Sequence, residues 1–570
     1  MNEKSRNQGL KRYLPILGWM PQYKREWLRF DIIAALSVWA LLVPQSIAYG
    51  SIAGVPAQYG LYGALGALLG YALFGTSGQV VTGPSAAIAA VSASVVALWA
   101  SSGSSEWISY TAALAITAGL VYILLGWFKM GWLSHFLSGA VLGGFVFGFG
   151  VGLIVDQTPK ILGVPKAAGS YFQVLIGSIQ ALPETSIPTL IVGVSSIILL
   201  LLMRRFLPKW PRTLFVVVLG IIVSSLLGLA DYGVAVVGAL PSTLPTLVWP
   251  AFPPVGLTSL ILGSLAVIFI GYSESLAAAK EEASKHGYEI DSSQEMVAQG
   301  MANSAAGLLG GFAVEGSLSK TAVADIAGQK TQLASLFTAV LMVITILFLA
   351  GFFTALPQAV LGAVVIDAGI SLVKIKELKH YRLNRVDFAA FLATALAVFF
   401  IGVLIGVVVG LVLALLLLVA SASRSPVRQM AFDKDNNVYV EADRHPQAEI
   451  IPGIVVVAIH GPLFFADADN FRDSVTHLVE NSQPRAVVID LGAVMMLDMD
   501  GDKILSKLSK ELRKKNIRLL LVKVGRDKLE LMRKTGTLKE IGPENIYETT
   551  RAAVSDAQKV DVEIGSGPSS

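Results

Sequence analysis

The chain has 570 residues, of which 54% are hydrophobic and 15% are charged, and its formal net charge is +4. This composition excludes a soluble globular protein, because the chain carries more apolar surface than a soluble domain can bury. The chain contains no cysteine, which excludes disulfides, thiolate chemistry and cysteine metal sites. A net charge this small gives no indication of a nucleic-acid partner.

The N-terminal segment, residues 1–30, is basic. It contains Lys4, Arg6, Lys11, Arg12, Lys24, Arg25 and Arg29. The positive-inside rule predicts that this segment lies in the cytoplasm. The first apolar run begins too late for a signal peptide and lacks a small-residue cleavage site, so we expect no cleaved leader.

Apolar runs long enough to cross a membrane recur through residues 31–423, which we predict to be the transmembrane domain. A hydrocarbon core of roughly 30 Å needs about 20 apolar residues per helix. Examples of such runs are Tyr110 to Phe128, Pro188 to Met203 and Leu333 to Phe353. About fourteen spans are predicted, and an even number of them returns the C-terminal part of the chain to the cytoplasm.

The first interruption predicted within a membrane span lies near residue 80. In FGTSGQVVTGPSAA, a glycine-bounded extended stretch from Gln79 to Thr82 meets Pro84. Proline suits the first turn of a helix because that position needs no N–H donor. The third span is therefore predicted to begin near Pro84, after a stretch of non-helical backbone.

A second break has the same pattern, in LLGGFAVEGSLSKTAVADIAGQ. Two glycines precede a short extended stretch, Phe312 to Val314, and the helix that follows, Ser319 to Ala327, has only about nine residues and spans roughly half the hydrocarbon thickness. Non-helical backbone at membrane depth is tolerated only where it is packed in protein or lines a cavity. Breaks in the third and about the tenth span predict two inverted seven-helix repeats with a binding site where the breaks meet.

The charges near the second break indicate what would bind there. Each helix N-terminus carries about +0.5 charge, so two of them aimed at one point favour an anion, and Lys320 adds a full positive charge. The alternative is that Lys320 reaches an interface, or pairs with Glu315 or Asp325 and only stabilises the fold. Glu274 follows an apolar run and is predicted to be buried, where it would neutralise a cation or carry a coupling proton.

The composition becomes polar from Ser423, and residues 424–560 are predicted to form a cytoplasmic domain. IPGIVVVAIHG, PRAVVIDLGAV and IRLLLVKVG have the length and composition of strands, whereas DADNFRDSVTHLVEN and GDKILSKLSKELRKK have helical periodicity. The alternation predicts an α/β domain. Residues 561–570 are predicted to be a disordered tail.

Several segments together resemble the sulfate permease (SulP) family of anion transporters. They are VPQSIAYGSIAGVPAQYGLYGALGALLGYALFGTSGQVVTGPSAA, SESLAAAK, SSQEMVAQGMANSAAGLLGGF and GSLSKTAVADIAGQKTQLASL. The C-terminal segments GPLFFADADNFRDSV and MLDMDG resemble the sulfate transporter and anti-sigma factor antagonist (STAS) domain that follows the membrane part in this family. The resemblance covers nearly the whole chain.

This resemblance implies a uracil-transporter-like membrane fold with core and gate domains, a cytoplasmic STAS domain and assembly as a homodimer in a bacterial cytoplasmic (inner) membrane. Transport would occur when the core moves against the gate. The anion pocket it implies is formed by Gln45, Tyr49, Ser85, Ser319 and Lys320. The implied partners are a small anion, membrane lipid and a regulatory protein that binds the STAS domain.

The substrate expectation is a small oxyanion. Relatives specialised for halide or motor function carry arginine at the Lys320 position and an aromatic residue at the Ser85 position. Lysine is a point charge, and serine leaves more room and more donors, so this departure favours an oxyanion. Two helix N-termini and Lys320 give roughly +2, reduced to roughly +1 by an ionised Glu274. We therefore expect proton-coupled transport of sulfate or a dicarboxylate.

Other functions fit the same residues. One alternative is sodium-coupled bicarbonate transport, in which Ser273, Ser275 and the backbone near Gly316 provide oxygen ligands. Others are an uncoupled channel or exchanger of the same fold, and a membrane sensor that binds without flux. We do not expect an enzyme, because the sequence has neither a phosphate-binding glycine loop with Lys-Ser/Thr nor HExxH. The only expected cofactor is a coupling ion, H⁺ or Na⁺.

The STAS loop gives a first testable prediction. Stand-alone STAS relatives carry a phosphorylated serine or threonine just before the loop glycine, but this chain has Asp500 there. Aspartate cannot accept the phosphate, and its fixed charge imitates it only in part; alternatively, Asp498 and Asp500 cap the next helix. We expect mass spectrometry of the isolated protein to find no phosphate in this loop, and phosphate on Ser506 or Ser509 would contradict this.

Overall fold

The computed structural model describes residues 13–131, 139–207, 210–249, 253, 256–422 and 427–565. The chain divides into two compact units, the first ending at Ala414 and the second beginning at Leu415. Outside the described residues lie part of the predicted tail, residues 566–570, and four of the basic residues named above, Lys4, Arg6, Lys11 and Arg12.

The first unit is helical and begins with α1, a single turn. Its first half contains α1 Ile16–Trp19, α2 Leu28–Ile52, α3 Ala57–Phe74, β1 Thr82–Gly83, α4 Ala86–Val96, α5 Ser105–Trp127, α6 Gly139–Leu162, α7 Tyr171–Gln180, α8 Ile187–Phe206 and α9 Arg212–Leu227. Its second half contains α10 Gly256–His286, α11 Ser292–Leu308, β2 Glu315–Gly316, α12 Leu318–Ile326, α13 Leu333–Ile344, α14 Gln358–Leu372, α15 Ile375–Tyr381, α16 Arg385–Phe400 and the start of α17 Val403–Ala422, which continues past Ala414 into the second unit. A π-turn and a 3₁₀ turn extend α13 to Ala355.

Seven helical segments in the described part of the chain are long and apolar enough to cross a membrane: α2, α5, α6, α8, α10, α13 with its extension, and α14 with α15. Seven other helices, α3, α4, α9, α11, α12, α16 and α17, are shorter or less apolar. With α1 and α7 set aside, seven helices precede α10 and seven begin with it. The described residues thus contain the fourteen spans that the hydropathy pattern predicts.

The two breaks occur at equivalent positions in the two halves, before the third helix of each. Strands β1 and β2 pair antiparallel, with Thr82 opposite Gly316 and Gly83 opposite Glu315. Antiparallel pairing is what two repeats of opposite orientation produce. The third helix begins near Pro84 as predicted, at Ala86, but Pro84 precedes the N-cap Ser85 and does not lie in the first turn.

The helices of the first unit form two groups, a core group and a gate group. Helix α11 packs on α3 and α5, and α13 packs on α2 and α3, which forms the core group around the two breaks. Helix α6 packs on α14 and α16, and α14 packs on α8, which forms the gate group. Helices α2 and α14 contact each other and connect the groups.

The second unit is an α/β domain. Its elements are β3 Val427–Asp433, β4 Val438–Glu441, β5 Ile454–Ile459, α18 Ala468–Ser482, β6 Ala486–Asp490, α19 Met499–Lys514, β7 Arg518–Val522, α20 Arg526–Thr535, α21 Thr537–Ile541, β8 Ile546–Tyr547 and α22 Thr550–Gly565. The sheet order is β4-β3-β5-β6-β7-β8, with the last four strands parallel and β3 antiparallel to both its neighbours.

Helices cover both faces of this sheet. Phe471 of α18 and Leu508 of α19 belong to the apolar cluster on one face, and Val554 of α22 belongs to the cluster on the other. The Tyr547 hydroxyl donates to Asp556 at 2.7 Å, and this hydrogen bond lowers the pKa of that carboxyl. Helix α22 ends at Gly565, five residues beyond the predicted boundary at residue 560.

The loop before α19, which includes Asp498, contains a single capping aspartate. Asp498 is the N-cap of α19, and its Oδ1 accepts the backbone N–H groups of Asp500 and Gly501 at 3.1 and 2.8 Å. Its Oδ2 accepts the backbone N–H of Phe465 at 3.0 Å. Asp500 is exposed on the first turn, where Lys503 lies 3.4 Å away. The idea that both aspartates cap the helix is therefore wrong for Asp500.

Glycines allow the helices of the core group to approach closely. A Cβ added to Gly66 of α3 would lie 2.6 Å from the carbonyl carbon of Ala305 in α11. A Cβ added to Gly119 of α5 would lie 2.6 Å from the carbonyl oxygen of Gly300 in α11. Since real Cβ atoms do not approach backbone this closely, α3, α5 and α11 form a tightly packed layer behind the breaks.

This packing predicts the effect of a single methyl group. Alanine in a helix interior is ordinarily more stable than glycine by about 0.5–1 kcal/mol, but at Gly66 the methyl overlaps the α11 backbone. We expect Gly66→Ala to destabilise the protein by about 1–3 kcal/mol, measured as a lower melting temperature in detergent. Gly351→Ala is the matched control, because no atom lies within 4 Å of its added Cβ in the described structure. Equal melting temperatures for the two variants would contradict the close approach.

Candidate functional site

The β1–β2 pairing brings the beginnings of α4 and α12 together. Ser85 is the N-cap of α4, and its Oγ accepts the backbone N–H of Ile88 at 3.2 Å. Ser317 is the N-cap of α12, with an extended backbone and no capping hydrogen bond from its side chain. Two helix N-termini, each with unpaired N–H groups and a partial positive charge, therefore begin at neighbouring strands.

Buried polar side chains hold the extended backbone at the second break. Asn303 of α11 makes two hydrogen bonds of 2.9 Å with the backbone of Val314, one as donor and one as acceptor. The hydroxyl of Ser275 in α10 accepts the backbone N–H of Gly316 at 2.8 Å. These side chains replace the hydrogen bonds that a continuous helix would provide, which non-helical backbone inside an apolar bundle requires.

Lys320 connects the two breaks. Its side chain is buried, 1% exposed, and Nζ donates to the carbonyl oxygen of Pro84 at 2.7 Å. The suggestion that Lys320 reaches an interface is therefore wrong. Pairing with Asp325 is also wrong, because Asp325 bonds His286 at 2.7 Å instead. Within the described residues no carboxylate lies within 4 Å of Lys320 Nζ, whose three N–H groups have one protein acceptor, Pro84.

Two carboxylates face Lys320. Glu274 of α10 is half-buried; it interacts with the backbone of Leu318, the first residue of α12, and with Lys320 and Glu315. Glu315 lies on β2, is 1% exposed and also interacts with Lys320. Neither oxygen of Glu315 has a hydrogen-bond partner of good geometry among the described residues. Glu315 lies five residues before the lysine, and the sequence indicated it only as a possible partner of Lys320.

Helix α2 contributes Gln45 and Tyr49, which lie one turn apart and so share a face. Oε1 of Gln45 is buried and has no partner among the described residues. Tyr49 is buried, and three carboxylates are within electrostatic reach of its hydroxyl: Asp367 of α14, Glu274 and Glu315. The structure thus brings Tyr49, Glu274, Glu315 and Lys320 into one cluster, with Gln45 on the same face of α2.

The two serines predicted for the pocket differ in environment. Ser85 is buried and interacts with Glu315. Ser319 is exposed, and its Oγ lies 3.1 Å from Oγ of Ser317. Ser319 is therefore the more accessible of the two hydroxyls at the helix N-termini.

The two hydroxyls predicted as sodium ligands both make hydrogen bonds to the protein backbone. Ser273 Oγ donates to the carbonyl oxygen of Phe269 at 2.8 Å. Ser275 Oγ donates to the carbonyl oxygen of Gly271 at 2.6 Å and also accepts from Gly316. Ser275 therefore has both a donor and an acceptor role in holding β2 against α10, which leaves one lone pair for any cation.

Comparison with known families and relatives gives matches over both units. The sulfate permease family model matches residues 28–394, and the STAS domain model matches residues 445–553. The probable sulfate transporter Rv1739c of Mycobacterium tuberculosis is 32% identical over 549 residues, covering 94% of this chain and 98% of that protein. The probable sulfate transporter 3.3 of Arabidopsis thaliana is 27% identical, covering 95% of this chain and 90% of that protein.

Solved structures share the fold. The murine anion transporter Solute Carrier 26 family member A9, in its inward-facing state, aligns with a TM-score of 0.88 and 25% identity, over 97% of this chain and 95% of that chain. The transmembrane domain of the cyanobacterial bicarbonate transporter BicA aligns with a TM-score of 0.59 and 24% identity, over 69% of this chain and 98% of that domain. This chain belongs to the sulfate permease family and is an integral membrane anion transporter with a STAS domain, not an enzyme.

Proposed function

We propose that this chain is a secondary active transporter that carries a small oxyanion, sulfate or a similar dianion, together with protons. Gln45, Tyr49, Ser85, Ser319 and Lys320 bind the anion. Glu274 carries the coupling proton. The observation that supports the proposal most strongly is the position of Glu274 on α10, a helix that contacts α12, within electrostatic reach of Lys320 and of the Leu318 backbone.

The position of Glu274 makes its charge compete with the substrate. A helix N-terminus and a lysine together attract an anion, and an ionised Glu274 offers them a carboxylate in place of one. Protonation of Glu274 removes that competing charge without moving any helix. An anion and a proton would therefore bind together more favourably than either alone, which is the thermodynamic requirement for coupled transport.

The charge balance of the cluster supports a dianion. Two helix N-termini and Lys320 supply roughly +2, and ionised Glu274 and Glu315 would reduce this to roughly zero. Protonation of both carboxylates restores roughly +2, which matches sulfate. Glu315, which the sequence indicated only as a possible partner of Lys320, is therefore a second carboxylate in this charge balance.

The donors of the site suit an oxyanion. The hydroxyls of Ser85 and Ser319, the amide of Gln45 and the ammonium of Lys320 point to a ligand with several acceptor oxygens rather than one spherical halide. The Ser275 hydroxyl already makes two hydrogen bonds, one to Gly271 and one from Gly316. These bonds argue against a sodium site built on that hydroxyl. Sodium-coupled bicarbonate transport and an uncoupled channel are the alternative outcomes of the experiments below.

The proposal also includes the membrane, the oligomeric state and the orientation of the protein. The chain lies in the cytoplasmic membrane of a bacterium as a homodimer, with both termini and the STAS domain in the cytoplasm, where a regulatory protein can bind the domain. Large apolar side chains exposed on α8 and α9, among them Ile191, Ile198 and Leu226, contact membrane lipid.

Removal of the lysine charge tests the anion site. We expect Lys320→Ala to reduce uptake of labelled sulfate into proteoliposomes roughly ten- to a hundredfold, because a hydrogen bond to a charged group contributes about 1.5–3 kcal/mol. Lys330→Ala is the matched control, because Lys330 is exposed and its side chain lies over the Phe30 ring. Uptake that survives in Lys320→Ala, with the melting temperature preserved, would show that the lysine is structural.

Neutralisation of Glu274 tests the coupling ion. We expect wild-type sulfate uptake to rise when an inward proton gradient is imposed, and Glu274→Gln to remove this response, because glutamine cannot release or accept the proton. Glu281→Gln, a substitution of an exposed residue on the same helix, should retain the response of uptake to the proton gradient.

Three results would contradict the coupling scheme. A proton response that persists in Glu274→Gln would show that another group carries the proton. Bicarbonate uptake driven by a sodium gradient would favour the sodium-coupled alternative. Flux without saturation or counterflow would identify a channel.

A further inference from the structure

The last turn of α10 and the end of α12 place three potential metal ligands together. Glu282 and His286 are one turn apart on α10, and Asp325 is near the C-terminus of α12. One ligand atom from each of the three lies within 4.8 Å of the other two. Nε2 of His286 is 2.7 Å from Oδ1 of Asp325 and 3.5 Å from Oε2 of Glu282.

An unpartnered buried oxygen points into this cluster. Glu282 is 2% exposed, and its Oε2 has no hydrogen-bond partner among the described residues. A buried carboxylate oxygen without a hydrogen-bond donor is unfavourable, since it has lost its water. Oε2 lies 3.5 Å from Nε2 of His286, and a cation between these two atoms would satisfy both.

A neighbouring lysine approaches the other two carboxylate oxygens. Lys285 lies 2.8 Å from Oε1 of Glu282 and 3.7 Å from Oδ2 of Asp325. These are the opposite oxygens from those that approach His286. Lys285 also lies 3.0 Å from Glu281 on the outer side of the helix, so its charge is shared among three carboxylates.

The charge at this position favours a dication. Glu281, Glu282 and Asp325 contribute three negative charges and Lys285 one positive charge. Helices α10 and α12 both end here, and each C-terminus adds about −0.5 charge. The total is roughly −3, which a bound divalent ion would largely neutralise.

We propose that Glu282, His286 and Asp325 bind a divalent transition-metal ion of the Zn²⁺ class. A ligand set of one imidazole and two carboxylates suits Zn²⁺, whereas Ca²⁺ and Mg²⁺ take oxygen ligands. Zn–N and Zn–O bonds of about 2.0–2.2 Å place tetrahedral ligand atoms roughly 3.3–3.5 Å apart, so the His286–Asp325 distance of 2.7 Å needs to widen by roughly 0.6–0.8 Å. Water from the exposed side of His286 would complete the coordination.

The metal would join two helices that carry the site described above. Glu274 lies two turns before Glu282 on α10, and Lys320 lies five residues before Asp325 on α12. A bound ion would fix the ends of these helices against each other. Metal binding itself does not depend on which anion is transported, so it stands or fails independently of the proposed function.

The experiment uses the purified full-length protein in detergent, without a histidine tag and stripped with chelator. Titration with Co²⁺ should give visible absorption bands of a low-coordinate centre at one ion per chain, and Zn²⁺ should displace them. Zn²⁺ should also raise the melting temperature, since a ligand that binds the folded state stabilises it, and Mg²⁺ at the same concentration should not.

Variants separate this site from adventitious binding. His286→Gln and Asp325→Asn change partly exposed side chains, and each should weaken Zn²⁺ binding by at least about tenfold. Glu281→Gln, which removes a neighbouring charge but no ligand, should retain the Co²⁺ bands and the stabilisation by Zn²⁺. Unchanged bands in both ligand variants, or no Co²⁺ bands in the wild type, would overturn the proposal.

Discussion

The structure depends on satisfying backbone hydrogen bonds where two helices are broken inside an apolar bundle. Non-helical backbone at that depth is stable only when other polar groups replace the missing partners. Asn303 and Ser275 do this for the chain around β2, and the two short strands do it for each other. Because these partners hold the breaks in place, two helix N-termini and one lysine can share a small volume, and the proposed anion site depends on that arrangement.

Much of this architecture could be predicted from the sequence, because glycine, proline and serine mark helix ends locally. The short helix after the second break was predicted as Ser319 to Ala327 and is Leu318–Ile326. The environment of Lys320 could not be predicted, because its partner, Pro84, is more than two hundred residues away. The role of Glu315 was missed for the same reason, since its proximity to Glu274 arises only when β2 packs against α10.

The close packing of α3, α5 and α11 also could not be predicted from local sequence patterns. Glycines such as Gly66 and Gly119 can be seen in the sequence, but only the folded chain shows that each faces the backbone of α11. The capping role of Asp498 differs, because it involves residues two and three positions away and an aspartate before a helix predicts it directly. Interactions within one turn were therefore predictable, and those between distant helices were not.

The short length of α12 has an electrical consequence. Its nine residues span about 13 Å at 1.5 Å per residue. With its C-terminus at the edge of a hydrocarbon layer of roughly 30 Å, an anion at its N-terminus would lie near the middle of that layer. One elementary charge that crosses the whole membrane changes energy by about 2.3 kcal/mol per 100 mV. A charge that reaches this depth from either side would therefore cross roughly half of the membrane potential. Both anion binding and anion release would then depend on voltage, each to a similar degree.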